Sequence, residues 1–267
     1  MPRIALLLQY LGSGFHGWQR QDNGSSIQQT LEETIAPICG HPVVIHGAGR
    51  TDTGVHASGQ VAHFHTDSPI PAERWSKVLN SRLPPAICIL ESVLVDDRWH
   101  AQFSAKWRRY RYTILNSPVP SVFWRSFSWH YYYADLDADL MHQALQPMLG
   151  EQDLWALQRS GSLRAHSRLT IQSAKCWRAG DMVFMEMQAS GFLYGMIRLL
   201  MGQLVAVGRC QMSIDQFTQI WQSKNRSAVK YAAPPQGLCL IGVGYDPYPF
   251  QIVPPIPFSL ADVDNCK

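Results

Sequence analysis

An α/β or α+β layer fold in two halves is what the 267-residue sequence predicts. Strand-like and helix-like segments follow one another in mixed order with few hairpin-type turns, which is typical of layered α/β and α+β folds. The order of elements starts again near residue 106, and the chain is longer than one typical domain core. We therefore expect one half over residues 1–105, a second over residues 106–250 and a proline-rich tail over residues 251–267.

The first half begins with a clear strand pattern followed by a helix pattern. The apolar run IALLLQY suits a buried strand, and Ser25 or Ser26 can cap a helix over residues 26–38 whose apolar side chains recur at helical spacing. Further strands are expected near residues 42–45, 60–66 and 87–95, with a second helix over residues 71–79.

The second half repeats this kind of order. KWRRYRYTI, WHYYY and GLCLIGVGY are expected to be strands, each bounded by turn residues or by a change of pattern. The remaining expected elements are helices over residues 136–149, 192–207 and 214–222, and strands over residues 171–178 and 182–189.

Composition narrows the functional classes. With 46% hydrophobic residues the chain can bury real cores, and a net charge of only +3 means that a nucleic-acid surface must come from local clusters of Arg and Lys. The six cysteines have no CxxC or zinc-type spacing and are expected to be reduced thiols of a cytoplasmic protein. The apolar stretch 187–207 carries Arg198 near its middle, which argues against a membrane span.

Two local patterns give only weak functional signals. GSGFHG at residues 12–17 matches the GxGxxG of dinucleotide sites, but a loop follows Gly17 where such a site needs a helix, so NAD(P) binding is disfavoured. His63 and His65 share a strand face and could ligate a metal. No third ligand stands at a suitable spacing, so no metal site is expected.

Basic and aromatic residues are combined in two places. In KWRRYRY, strand alternation puts Arg108 and Tyr110 on one face, which suits phosphate contacts beside a ring on which a base can stack. The loop after Gly17 adds Gln19 and Arg20, which suit a polyanion or an exposed base. A strand with core tyrosines and edge arginines is the alternative interpretation of KWRRYRY.

Arg198 is the only charge in the helix pattern FLYGMIRLLMGQLVAV. Gly195 and Gly202 lie on the same predicted face and allow another element to approach closely. A guanidinium buried there requires a carboxylate partner from elsewhere in the chain. An Arg that reaches the helix end through its flexible stem is the alternative.

GAGRTDTGVHASGQ, residues 47–60, sets Arg50 and Asp52 among glycines that let the backbone approach a bulky ligand. In an extended segment these two side chains project the same way. Cations such as Arg198 would keep Asp52 ionised, and therefore usable as a nucleophile or base. Arg50 can then bind a phosphate or occupy the space that a displaced base leaves. A glycine turn with a surface ion pair is the alternative.

Taken together, these segments resemble the tRNA pseudouridine synthases of the TruA type. The resemblance rests on five motifs in order along nearly the whole chain: GWQRQ, GAGRTDTGVHASGQV, FSAKWRRYRYTI, MIR in a glycine-spaced helix, and GLCLIGVGY. It implies the family fold, in which two α+β halves are related by a pseudo-twofold with a basic cleft between them. It also implies a homodimer that binds tRNA.

The resemblance further implies a reaction: uridines 38, 39 and 40 in the anticodon arm of tRNA are isomerised to pseudouridine without a metal or cofactor. Asp52 is the implied catalytic aspartate, Tyr110 stacks on the target uracil and Arg198 pairs with Asp52. Arg50 helps to hold out the flipped nucleotide, and Leu240 lies in the apolar pocket around the base. The other predicted substrate-binding residues are Gln19, Arg20 and Arg108.

Two rival functions follow from the same residues. A non-catalytic RNA-binding module with an RRM-like strand would account for KWRRYRY, but it leaves Arg198 and the glycine-flanked Asp52 without a purpose. A nucleotide-dependent oxidoreductase would need the GSGFHG segment to open a helix.

Overall fold

The protein is described from a computed structural model that covers residues 1–159, 167–229 and 231–255. Its chain forms two compact units: unit 1 contains residues 1–108 together with the segment from residue 239 onward, and unit 2 contains residues 109–238. The sequence placed residues 106–250 in one half, whereas the structure groups residues 239–250 with unit 1. Of the predicted tail, residues 256–267 lie outside the described part.

Ten strands and five α-helices make up the described residues. The strands are β1 (Arg3–Tyr10), β2 (His46–Gly47), β3 (His56–His65), β4 (Ile87–Val95), β5 (Trp107–Leu115), β6 (Trp129–His130), β7 (Gly150–Asp153), β8 (Arg168–Ala179), β9 (Met182–Ala189) and β10 (Leu238–Gly244). The helices are α1 (Ile27–Cys39), α2 (Trp75–Asn80), α3 (Ala138–Leu145), α4 (Met196–Gly208) and α5 (Ile214–Gln222). The predicted α+β class is confirmed.

Unit 1 contains a mixed sheet with the strand order β4–β1–β3–β10, and β2 pairs with β3. The strand β1 runs antiparallel to β3 and β4, whereas β10 runs parallel to β3. Helix α2 packs on β4, and its Trp75 meets Phe64 of β3 edge-on, with ring centroids 5.0 Å apart. Helix α1 begins where the sequence predicts, because the Ser26 hydroxyl accepts a hydrogen bond from the Gln29 amide at 3.2 Å.

The strand predicted at residues 42–45 is wrong, since the only strand here is the two-residue β2 that follows. Side chains of α1 form hydrogen bonds with backbone groups that would otherwise pair with a neighbouring strand. The Ile45 amide donates to Glu32 Oε1 and its carbonyl accepts from Gln28 Nε2, both at 3.1 Å. The segment is therefore fixed to the helix by side chains that no local strand pattern reveals.

Unit 2 contains a sheet with the strand order β5–β9–β8–β7, and β6 pairs in parallel with β5. The strand β8 is antiparallel to both β7 and β9. Helix α3 packs on β8 and on α4, and α5 contacts both of these helices. Only the first two residues of WHYYY form a strand, so the longer strand predicted there is wrong.

The long apolar helix predicted over residues 192–207 starts later, at Met196. Gly195 adopts a left-handed conformation with φ of 71°, which a regular helix does not include. Within the part of the chain that the structure describes, no helix has the length and apolar character needed to cross a membrane.

Candidate active site

The segment between β2 and β3 carries Arg50 and Asp52, and hydrogen bonds fix its backbone along most of its length. The Ala48 amide donates to the Val61 carbonyl at 2.7 Å, and the Val55 amide closes the turn by donating to the Asp52 carbonyl at 3.1 Å. The Gly49 carbonyl accepts from Gln60 Nε2 at 2.8 Å. A segment rich in glycine is thus held in one conformation. We call residues 47–55 the RTD loop.

Thr51 anchors the centre of the RTD loop in the core of unit 1. Its hydroxyl lies 2.8 Å from the Tyr10 hydroxyl, and its carbonyl accepts from the Trp18 amide at 3.0 Å. Gln60 Nε2 donates to the same Tyr10 hydroxyl at 3.3 Å. Burial raises the pKa of Tyr10 well above its usual range, so this network stays neutral.

Arg50 and Asp52 flank this buried threonine and remain accessible. Arg50 is exposed and Asp52 is half-buried, whereas only 6% of Thr51 is exposed. The core thus holds the middle residue while the two charged residues reach the surface. A carboxylate presented in this way has a fixed position without being removed from solvent.

Two glycines fit the RTD loop tightly against the GWQRQ segment. Gly17 has φ of 83°, and a Cβ there would stand 2.5 Å from the Thr51 carbonyl oxygen. A Cβ on Gly47 would overlap the Trp18 indole. The sequence predicted that Gly47 makes room for a ligand; in the structure the same room is filled by Trp18, which is buried.

Gln19 and Arg20 follow Trp18 and are tied to α1. Gln19 Nε2 donates to Gln28 Oε1 at 2.7 Å, and Arg20 Nη1 lies 3.1 Å from Glu32 Oε2. Glu32 is buried, whereas about half of the Arg20 side chain is exposed. Since α1 begins only at Ile27, the context that a dinucleotide site needs after GSGFHG is missing.

The two other predicted substrate-binding residues of unit 1 are buried. Leu240 on β10 is fully buried and is in register with Ala57 of β3. Arg108 is 9% exposed, and its guanidinium donates to the carbonyl oxygens of Ala48 and Gln102 at 2.8 and 2.6 Å. One of these carbonyls belongs to the RTD loop.

Unit 2 contains Tyr110 and Arg198. Tyr110 on β5 is 7% exposed, and the ring of Phe192 meets it edge-on with centroids 4.8 Å apart. Sequence reasoning did not single out Phe192, which precedes the helix and carries no periodic signal of its own. Its edge contact fixes one side of the Tyr110 ring.

Arg198 stands in the first turns of α4 and is half-buried. Its Nε donates to the Ala233 carbonyl at 2.8 Å, while the Ala233 amide donates back to the Arg198 carbonyl at 2.9 Å. A Cβ on Gly202 would overlap the Tyr231 carbonyl oxygen. The predicted close approach of another element to this helix face is therefore confirmed, and the element is the segment 231–233.

His63 belongs to a group of four imidazoles in unit 1. Its ring centroid lies 4.5 Å from that of His100, 5.1 Å from that of His46 and 5.8 Å from that of His65. Burial, followed by the nearby His100 and His46, lowers the pKa of His63 to about 3. Its Nδ1 accepts the Ala101 amide at 3.2 Å. No group suited to hold a metal occurs in residues 1–159, 167–229 and 231–255.

An accessible carboxylate on a fixed loop, together with exposed basic side chains, fits an enzyme that acts on a polyanionic substrate. Comparison with protein families gives the particular class. The family model described as tRNA pseudouridine synthase matches residues 7–104 and 144–246. The chain belongs to the tRNA pseudouridine synthase family, so the predicted membership is confirmed. Asp52 and Arg198 fall inside the matched ranges, and Tyr110 falls between them.

Similar proteins carry the same description. A tRNA pseudouridine synthase A of Thermosynechococcus vestitus is 55% identical over 250 residues, which cover 94% of this chain and 88% of that protein. One from a Nostoc species is 54% identical over 248 residues, covering 93% and 88%. One from a Synechocystis species is 53% identical over 250 residues, covering 92% and 90%. All three similarities extend over nearly the full length of both chains.

Proposed function

We propose that this chain isomerises uridine to pseudouridine in tRNA, at positions 38, 39 and 40 of the anticodon arm. The observation that carries the proposal is the accessible Asp52 on the fixed RTD loop, within a chain of the tRNA pseudouridine synthase family. The names of the similar proteins support tRNA as the substrate. The family resemblance of the five motifs supports the anticodon arm.

Asp52 is the proposed catalytic carboxylate. The reaction breaks the bond between N1 of uracil and C1′ of ribose, turns the detached base, and joins C5 to C1′. Asp52 either attacks C1′ and is later displaced by C5, or removes the C2′ proton to give a glycal and returns it to C2′ as C5 bonds to C1′. In both routes C5 then loses its proton and N1 gains one. Both routes need an ionised carboxylate in a fixed position, which the hydrogen bonds of the RTD loop provide.

The remaining predicted residues take the roles that the resemblance implies. Tyr110 stacks on the uracil after the nucleotide leaves the helical stack, which offsets an extrusion cost of a few kcal/mol. Arg50 holds the nucleotide out and Arg198 keeps Asp52 ionised. Leu240 contributes to the apolar pocket, and the exposed Gln19 and Arg20 contact the tRNA backbone.

The assembly is proposed to be a cytoplasmic homodimer. This proposal rests on the family resemblance, and on the reduced state expected for cysteines with no paired spacing. Light scattering at working concentration should give twice the 30.2 kDa mass of one chain. A mass of one chain would contradict the dimer while leaving the reaction in place.

The reaction is tested by incubating the wild-type protein and Asp52→Ala separately with an unmodified tRNA transcript. Pseudouridine is mapped by carbodiimide adducts and reverse-transcription stops. Stops in the anticodon arm with the wild-type protein alone are expected. Tight tRNA binding with no stops from either protein would contradict the proposal and favour a non-catalytic RNA-binding module.

A further inference from the structure

Arg108 has contacts unlike those of a side chain that binds a phosphate. Its guanidinium is buried and donates to carbonyl oxygens of the protein: Nε and Nη2 to Ala48 at 3.2 and 2.8 Å, Nη2 also to Gln102 at 2.6 Å, and Nη1 to Ala105 at 3.4 Å. A phosphate contact needs the guanidinium to be accessible, with at least one N–H donor directed outward. Only 9% of Arg108 is exposed, and its N–H groups are directed at backbone carbonyl oxygens instead.

The Ala48 carbonyl is a sensitive point of the RTD loop, because it stands two residues before Arg50 and four before Asp52. The next carbonyl, that of Gly49, is held by Gln60 Nε2 at 2.8 Å. Two side chains from outside the loop therefore fix consecutive peptide planes just before the charged residues. A shift of either plane would move Asp52.

The second anchor of Arg108 is itself fixed. The Gln102 amide donates to His100 Nδ1 at 3.1 Å, and the preceding Ala101 amide donates to His63 Nδ1 at 3.2 Å. His63 of β3 thus holds Ala101 from the neighbouring strand, and His100 of the same loop holds Gln102 locally. Arg108 donates to carbonyl oxygens of both this segment and the RTD loop, so the position of the RTD loop depends on the position of the segment.

We propose that Arg108 is a positioning residue, which sets the RTD loop so that Asp52 meets the ribose, and that it does not contact tRNA. This inference rests on the proposed function. It also assigns Arg108 a role different from the phosphate contact that its place in KWRRYRY predicted. A positioning role makes the geometry of the guanidinium essential, whereas a lysine can also bind a phosphate as a point charge.

The first test is Arg108→Lys, which keeps the buried charge but loses the planar fork. Measured with enzyme in excess over tRNA, its single-turnover rate should fall about 100-fold, since a small misplacement of a reacting group has an effect of this size. Its Kd for tRNA should stay within about twofold of wild type. A lysine variant with the wild-type rate would overturn the proposal, because lysine is also a good phosphate ligand.

The second test removes the charge in Arg108→Gln and measures tRNA affinity against salt concentration. Losing a phosphate contact lowers the magnitude of the slope of log K against log [salt] by about one. We expect that decrease for Arg20→Gln, and no change for Arg108→Gln or for Lys77→Gln, a control at an exposed position on α2. A decrease for Arg108→Gln equal to that of Arg20→Gln would contradict the positioning role.

A third measurement does not depend on activity. Amide hydrogen exchange over the RTD loop should be faster in Arg108→Lys than in wild type, and unchanged in Lys77→Gln. Unchanged exchange in Arg108→Lys would overturn the inference even if the wild-type protein proved inactive. Absence of pseudouridine from the wild-type reaction would, by contrast, overturn only the proposed function.

Discussion

Thr51 explains how a glycine-rich segment can present a reactive carboxylate. Its side chain and carbonyl are both bonded to buried groups of unit 1, Tyr10 and the Trp18 amide. Because Asp52 directly follows Thr51, the anchored threonine also fixes the backbone position of Asp52. The sequence predicted the accessible Arg50 and Asp52 from their charge and spacing, but it could not predict Tyr10 as the anchor, because the two residues are 41 positions apart.

Thr51→Val should destabilise the protein, because it leaves the buried Tyr10 hydroxyl with one partner fewer. A lost hydrogen bond of this kind costs about 1–3 kcal/mol, to be measured as a lower free energy of unfolding in urea. The single-turnover rate should fall as well. Thr51→Ser keeps the hydroxyl and should stay near wild type; equal destabilisation by both variants would contradict the role of this bond.

Tyr110→Phe separates two roles of the tyrosine. We expect unchanged tRNA affinity, because the ring and its edge contact with Phe192 remain. If the hydroxyl helps to remove the C5 proton, the single-turnover rate should fall about 100-fold, the lower end of the usual range for general acid–base catalysis. A Phe variant with the full wild-type rate would show that Tyr110 serves only as a stacking platform.

Helix α4 shows what periodicity can and cannot predict about an element. The apolar run and Gly202 correctly predicted a helix approached closely by another segment. The start of the helix was missed by four residues, since the left-handed Gly195 looks the same in sequence as a helical glycine. Likewise, a strand was predicted over residues 42–45 because the local sequence does not show the hydrogen bonds of Ile45 to Glu32 and Gln28 of α1.

Gly202→Ala should destabilise the protein although alanine favours helices more than glycine does. Its Cβ would overlap the Tyr231 carbonyl oxygen, and such overpacking costs about 1–3 kcal/mol. Gly14→Ala is the matched control, because a Cβ there meets nothing within 4 Å. The comparison is made by urea unfolding, and a stabilised Gly202→Ala would contradict the close approach of segment 231–233.

The return of the chain to unit 1 after residue 238 is a property of the whole molecule that local patterns could not supply. GLCLIGVGY predicts a strand correctly, yet its partner β3 begins at His56, far away in sequence. The sequence boundary near residue 105 lies close to the observed passage between residues 108 and 109. The restart of the pattern does not predict the destination of the last strand, because that depends on long-range pairing.

The four-histidine cluster should make the stability of the whole protein depend on pH. Burial lowers the pKa of His63 to about 3. The pKa values of His65 and His100 are also lowered, by burial first and then by the nearby His46 and Arg3. The Asp97 carboxylate acts in the opposite direction on the pKa of His65. The unfolded chain takes up protons near the ordinary value of 6.5. Stability is therefore fully present above that value and is lost as pH falls towards 3.

The pH dependence is measured as the urea midpoint at about pH 7.5 and about pH 5. His63→Gln can still accept the Ala101 amide through its side-chain oxygen, but it does not titrate. This variant should show a smaller decrease between the two pH values than wild type does. An identical decrease would mean that His63 does not contribute to the acid sensitivity.

The central claim, that Asp52 on the RTD loop performs the chemistry, is tested most directly by Asp52→Asn. The amide keeps the size of the side chain, so we predict wild-type stability and tRNA affinity. No pseudouridine should form even with the enzyme in excess. Asp52→Ala is measured in parallel, because deamidation cannot restore its carboxylate. Turnover by both variants, in preparations free of wild-type protein, would contradict the account, whereas binding without product in both would support it.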